Sequence, residues 1–270
     1  MQPYRQGIKR YTAQHIPEVE VIWGDAHAVI QWQKRAEIYS NAVFRGGHAD
    51  GTAVVNYMVP RFFDCSDPVQ HMETKCREWG YEPTETVGLI TAAKVTHMSV
   101  EELEGDECAI LCCTSAGTAN GARAGLERET YSAYMTLADN LEQKTADVAV
   151  KRTPGTINII LVLDACLTES AIFNAMLTVT EAKAAALQDL GITDAELGCA
   201  ATGTTTDTVT LVIHNSGKYT AEHLYAGTAT TIGNAIGKLV YKTVTEAVAT
   251  QKQEDAELFP TAAAAGEADV

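Results

Sequence analysis

Basic residues are scarce: 20 Lys and Arg stand against 35 Asp and Glu, a formal net charge of −15 over 270 residues. The largest basic cluster is the scattered Arg5, Lys9 and Arg10, so no patch exists that would draw a nucleic-acid backbone or an anionic membrane surface. No apolar stretch follows those three residues, which argues against a signal peptide, and no apolar run has the length that spans a bilayer. Familiar hydrolase and metal signatures are absent as well. The chain has no HExxH, no GxSxG and no CxxC, and its seven histidines are scattered. Seven cysteines, an odd number in a chain long enough to fold without staples, fit a reducing, cytoplasmic setting.

What is present is ample core: 46% of residues are hydrophobic, enough for one domain over residues 1–252, with 253–270 reading as a disordered acidic tail. The first sixty residues are strand-like. EVEVIWG, HAVIQW, EIYSNAV and TAVVNYMV predict an antiparallel meander. SDPVQHMETKCREWG predicts a helix with Ser66 as N-cap, Pro68 in its first turn and Gly80 as its stop. ETVGLITAA and ECAILCCTS return to strand, whereas residues 116–153 fit either a helix or an excursion. Beyond them TINIILVLDACL is a buried strand, Thr168 caps a helix running to Gly191, TVTLVIH is a strand, and TTIGNAIGKLVYKTVTEAVA is a helix. The expected class is α+β or α/β: a single domain with a mixed β-sheet flanked by helices, strand-rich in its N-terminal half and βαβα in its C-terminal half.

On the helix after Thr168, Ile172, Met176, Val179, Lys183, Leu187 and Leu190 share a stripe, with Asn174, Thr178, Glu181 and Gln188 opposite. Lys183 lies in the middle of the apolar stripe. A buried ammonium costs several kcal/mol unless it finds a carboxylate, so Lys183 either forms a structural ion pair or borders a cleft where it meets substrate. Asp164, which closes the strand INIILVLD, is a candidate partner or simply a turn aspartate. Glu181 reads as a solvated charge. ATGTTTDT packs Gly203 and four threonines ahead of Asp207, either a polar pocket or a polar turn. Gly227 and Thr228 precede the last helix, where free backbone NH groups hold anions, or where a threonine caps. SNAVFRGGHADG, with Asn41, Arg45, His48 and Asp50, reads as a hairpin loop between strands or as a loop that carries function. Cys108, Cys112 and Cys113 read as buried thiols, not metal ligands. Gly155–Thr156 could serve as a self-cleavage point exposing a threonine nucleophile, though such dipeptides are common by chance.

Taken in order, SNAVFRGGHADGTAVVNYMVP, TVGLITAA, SAGTANGARAG, GTINIILVLDACLTESAIFNAMLTVTEAKAAALQDLG, ATGTTTDT and YAGTATTIGNAIGKLVYKTV resemble the adenosylcobinamide amidohydrolase family over residues 37–248. The resemblance implies hydrolysis of the amide joining aminopropanol to the corrin ring, giving adenosylcobyric acid for corrinoid salvage. It implies Lys183, Asp207, Glu181 and Asp164 as catalytic residues, Asp207 or Glu181 being the general base. Asn41, Gly46, Gly47, Asn56, Asn158, Thr180, Thr202, Gly203, Gly227 and Thr228 are the implied substrate-binding positions. Lys183 and the NH groups of Gly227 and Thr228 would stabilise the oxyanion. The expected partner is a corrinoid whose cobalt belongs to the substrate, with no cofactor or metal held by the protein, and a homo-oligomer is compatible with it. The chain departs from the family where relatives often carry a histidine after Thr228 and Leu-Gly-Glu further on; here stand Ala229 and Ile232, Gly233, Asn234. If that histidine moves protons in relatives, this chain needs another base. The rival readings are a non-catalytic corrinoid carrier or sensor, a threonine-nucleophile amidase, and a different amide or ester substrate.

Overall fold

Alternation of Val, Ile and aromatics with polar residues sets up an antiparallel start to the chain: β1 (Arg10–Thr12), β2 (Glu20–Trp23), β3 (His27–Ser40) and β4 (Gly47–Met58). The computed structural model describes residues 1–60, 67–128 and 155–258, with positions 63, 130, 132 and 133 besides. HAVIQW and EIYS are one strand rather than two, because β3 stays paired with β4 across a register shift between Gln31 and Ala36. Helix α1 (Pro68–Glu78) is capped by Asp67, whose carboxylate accepts the Gln70 N–H at 2.9 Å; the expected cap Ser66 lies outside the described residues. There follow β5 (Thr86–Thr91), β6 (Ser99–Gly105), which the sequence reading passed over, β7 (Cys108–Gly117) and β8 (Gly121–Ala122). Most of the segment expected to be helix or excursion lies outside the described residues.

The second half alternates as expected. β9 (Thr156–Asp164) is buried at every position. After the short β10 (Cys166–Leu167), α2 (Glu169–Asp189) begins under a Thr168 cap that accepts the Ala171 N–H at 3.1 Å. β11 (Gly203–Thr204), β12 (Thr208–Ile213), β13 (Glu222–His223) and α3 (Thr231–Leu258) complete the order. The nine-stranded sheet runs β1-β2-β3-β12-β9-β7-β6, with β4 joined to β3 and β5 joined to β4. β9 and β12 are parallel neighbours, so α2 supplies the crossover that such a pair requires.

Strand parity divides the core. Ile157, Ile159, Leu161 and Leu163 face α2 and α3, packing on Ile172, Val179, Leu187 and Ile236, while Ile160 and Val162 face Val54, Leu89 and Leu111 on the other side. Each such fully buried aliphatic contributes roughly 1.5–3 kcal/mol relative to exposure. A third cluster, with Val55, Tyr57, Met72 and Cys76, fixes α1 to the outer face of β4. The sheet is curled. Asn158 on β9 donates to Asn56 on β4 at 2.8 Å although β12 and β3 separate those strands, and Asn56 donates in turn to Ser115 on β7 at 2.8 Å. The last helix extends past the predicted boundary to Leu258, because Glu254 is anchored by Lys94, His97 and Arg5; the expected tail from 253 is therefore ordered at least that far.

Candidate active site

The C-terminal half of α2 carries the cation. Ala171, Ile172, Ala175, Val179, Lys183, Ala186 and Leu187 form the buried stripe, and Lys183 is only 7% exposed. Its Nζ donates to Asp207 Oδ2 at 2.5 Å. Asp207 precedes β12, and its carboxylate also accepts the Thr204 N–H at 3.0 Å, the Ile157 N–H at 3.1 Å and the Thr204 hydroxyl at 2.5 Å. Four donors fill the roughly four acceptor positions of a carboxylate, which makes Asp207 a holder of Lys183 and a poor general base. Lys183 keeps further protons to give, since Asp207 is its one partner among the described residues. Gly203 makes the pair possible: a Cβ there would sit 2.4 Å from Asp207 Oδ2 and 2.9 Å from Lys183 Nζ.

Asp164 is elsewhere. It is 2% exposed at the other end of β9 and accepts the Ser216 N–H at 2.8 Å and the Ser216 hydroxyl at 2.7 Å. The expectation that it partners Lys183 is corrected by helix direction: α2 starts beside Asp164 and runs back along the strands, so residue 183 lies about 21 Å along the helix from residue 169. Glu181 is exposed, as the wheel predicts, and shares a groove of about 450 Å³ between α2 and α3 with Thr228, Asn234 and Tyr241. Two positions on a helix differ by about 200°, so Glu181 and Lys183 open on different faces, and Thr228 does not join Lys183 in one oxyanion hole. Thr228 is not the helix cap either: Thr230 Oγ1 accepts the Gly233 N–H at 3.0 Å, while Gly227 accepts Thr230 N–H at 2.9 Å. Thr178, expected on the solvent side, is 1% exposed and donates to the Ala226 carbonyl at 2.9 Å, because α3 covers that flank. Thr180 is exposed and bonds its own helix at Met176.

The asparagines expected to bind corrin amides are built into the frame. Asn56 and Asn158 are both fully buried and bonded to each other, with Asn158 Oδ1 left unpartnered. Asn41 uses its side chain to bridge the Asp207 carbonyl at 2.8 Å and the Val209 N–H at 2.8 Å, tying the hairpin of Gly46 and Gly47 to the edge next to Asp207. Thr202 Oγ1 accepts the Ala124 N–H at 3.0 Å, and β11 pairs with β8.

The Lys183–Asp207 end also carries an open cavity of about 960 Å³, lined by Tyr57, Met58, Ala93, Gly117, Thr118 and Ile192 among others. Gly117 is the register partner of Thr156, next to Ile157, whose N–H reaches Asp207. Hydroxyls missed as a set by the sequence reading cluster here: Thr156 Oγ1 and Thr206 Oγ1 are 2.8 Å apart, and Asn120 donates to Thr205 at 2.8 Å. Their signals in the sequence, the run of threonines before Asp207 and the Gly155–Thr156 dipeptide, lie 50 residues apart. Among the described residues no three His, Cys, Asp or Glu side chains converge as metal ligands do, and no helix is long and apolar enough to cross a membrane.

A family model described as adenosylcobinamide amidohydrolase matches residues 12–256, wider at both ends than the span legible in the sequence. An adenosylcobinamide amidohydrolase of Methanosarcina mazei is 31% identical over 204 residues, 73% of this chain and 82% of that protein. The uncharacterized protein MJ1613 of Methanocaldococcus jannaschii is 29% identical over 250 residues, 90% of this chain and 94% of that one. The solved PH0078 protein of Pyrococcus horikoshii OT3 matches with a TM-score of 0.38 at 9% identity, covering 90% of this chain and 80% of that one, a likeness too weak to bear on either fold or site.

Proposed function

Because the chain belongs to the adenosylcobinamide amidohydrolase family, we propose that it hydrolyses the amide between aminopropanol and the propionyl side chain of the corrin ring, releasing adenosylcobyric acid for reuse in corrinoid salvage. The observation that carries the reading is the buried ammonium of Lys183, held by Asp207 at 2.5 Å, with Asp207 in turn bonded to the Ile157 N–H at the amino end of β9. Amide hydrolysis passes through a tetrahedral oxyanion, and one preorganised donor in a water-poor site is worth about 2.7–4 kcal/mol of barrier. Lys183 supplies that donor. Asp207 keeps it charged and aimed, and Gly203 leaves the room that their contact needs.

The corrinoid is seated in the cavity of about 960 Å³, near the upper limit of ordinary ligand pockets and suited to a large, amide-studded ring. Its apolar lining of Met58, Ala93 and Ile192 meets the ring edge, and Thr118 and Thr193 offer hydroxyls to its side-chain amides. The reading includes no metal held by the protein. Incubation of purified protein with adenosylcobinamide and a chelator, followed by mass spectrometry, should yield adenosylcobyric acid and aminopropanol. Corrinoid bound without product would make the protein a carrier or sensor, and activity restored only by a divalent ion would overturn the metal-free reading.

A further inference from the structure

The site as described has an oxyanion donor and lacks a base. Asp207 is saturated by four donors, and Glu181 opens on another face of α2. Acyl transfer needs a nucleophile and a base within hydrogen-bond reach of each other. What the same end does contain is two hydroxyls converging on one peptide carbonyl. Thr156 Oγ1 donates to the carbonyl oxygen of Gly155, the residue before it, at 2.7 Å. Thr206 Oγ1 donates to the same oxygen at 2.9 Å and lies 2.8 Å from Thr156 Oγ1. The two hydroxyls have two protons for three contacts, and either can donate to the other, so a relay is built in: Thr156 to Thr206, and Thr206 to the carbonyl.

The junction is also shaped around glycine. A Cβ on Gly155 would lie 2.1 Å from Asn120 Oδ1, 2.8 Å from the Gly117 carbonyl and 3.1 Å from Ala119 N, so no other residue fits. Asn120 Oδ1, pressed against Gly155, is buried without a partner, an acceptor facing the peptide with no donor to meet it. Thr156 is 7% exposed whereas Thr206 is exposed, so water reaches the junction from one side. Gly117 and Ala119 both line the large cavity.

We propose that Gly155–Thr156 is a self-cleavage junction. Thr156 Oγ1 adds to the Gly155 carbonyl carbon while its proton passes through Thr206 to the carbonyl oxygen. The peptide C–N bond then breaks, the proton moves to the departing nitrogen, and Gly155 is left as an ester on the Thr156 oxygen. One water hydrolyses that ester, giving the Gly155 carboxylate and a new N-terminal Thr156 with a free hydroxyl. The second half of the inference rests on the amidohydrolase reading: the freed α-amine, with a pKa of about 7.7–8.0 as an ordinary amine, is the missing base for its own hydroxyl. Thr156 Oγ1 attacks the substrate amide, the leaving aminopropanol takes the proton from the α-amine, and water releases the acyl group.

Intact-mass spectrometry of the purified full chain after overnight incubation at neutral pH tests the junction. Two co-purifying pieces, 1–155 and 156–270, are expected, with Thr156→Ser also cleaved and Thr156→Ala a single chain. Thr206→Val, which leaves the nucleophile intact, should slow cleavage by about 10²-fold or more, the usual worth of positioned proton transfer. A wild-type chain that stays whole overturns the junction, and if that whole chain still hydrolyses adenosylcobinamide the amidohydrolase reading stands without it. A chain that cleaves at Gly155 and leaves adenosylcobinamide intact supports the junction and removes the substrate instead.

Discussion

The parallel strands β9 and β12 carry an aspartate at each end, and the two ends solve the same desolvation problem differently. At one end Asp164 is satisfied by the N–H and hydroxyl of a single residue, Ser216, with no cation paired to it among the described residues. At the other, Asp207 gathers two backbone N–H groups, a hydroxyl and the ammonium of Lys183. The first is a closed turn. The second leaves a charged donor that its own partner does not exhaust, at the end of β9 where Gly117, the register partner of Thr156, lines a cavity of about 960 Å³. In open parallel sheets ligands gather at the carboxyl ends of strands. Here the antiparallel neighbours β7 and β3 and the curl of the sheet place the mouth at the amino end of β9, so the helix delivers its cation from its last turns instead.

The sharpest way to break the contrast is Lys183→Met, which should lower kcat for adenosylcobinamide by about 10²–10³-fold, the worth of one oxyanion donor, in a protein whose circular dichroism is unchanged. Asp207→Asn should be the most destabilising change, about 3–5 kcal/mol in denaturant unfolding, since it leaves Lys183 buried opposite a neutral amide. Gly203→Ala forces a methyl between the two charges and should cost about 1–3 kcal/mol while also reducing kcat. Asp164→Asn, at the closed end, should cost no more than about 1.5–3 kcal/mol and leave kcat within a factor of two of wild type. A large loss of turnover from that change would show that the two ends are not functionally separate.

The smallest expected effect concerns acid. Burial lowers the pKa of His97, and the hydrogen bond from Lys94, aided by His97, lowers that of Glu254. A group whose folded pKa lies below its unfolded value stabilises the protein above the unfolded pKa and loses that contribution as pH falls through the folded one. Stability should therefore decline from about pH 6.5 downward through His97, and again below about pH 4.3 through Glu254. Thermal melts across that range, compared with His97→Gln, should show the upper step flattened in the variant.

The position of Lys183 was legible because helical periodicity is local: a lysine at the centre of Ile172, Val179 and Leu187 needs either a partner or an opening to water. Its partner was not, because which aspartate it meets depends on the direction of the crossover helix and not on spacing in the chain. Thr178 read as solvent-facing since a wheel shows one buried stripe, whereas α3 lies along a second flank of α2. Asn56 and Asn158 read as ligand amides because nothing in a linear sequence shows that a curled sheet brings β4 to β9. β3 read as two strands because its polar Gln33 to Arg35 stretch interrupts the alternation at the register shift. The run of threonines before Asp207 was visible as a polar loop, but its convergence with Thr156 on the Gly155 carbonyl required the fold.

The most direct test of the account is a parallel assay of wild type, Asp164→Asn and Lys183→Met with adenosylcobinamide, reading adenosylcobyric acid by mass spectrometry. Product from the first two at similar rates and a loss of about 10²-fold or more in the third is the predicted result. Near-wild-type turnover by Lys183→Met would contradict it.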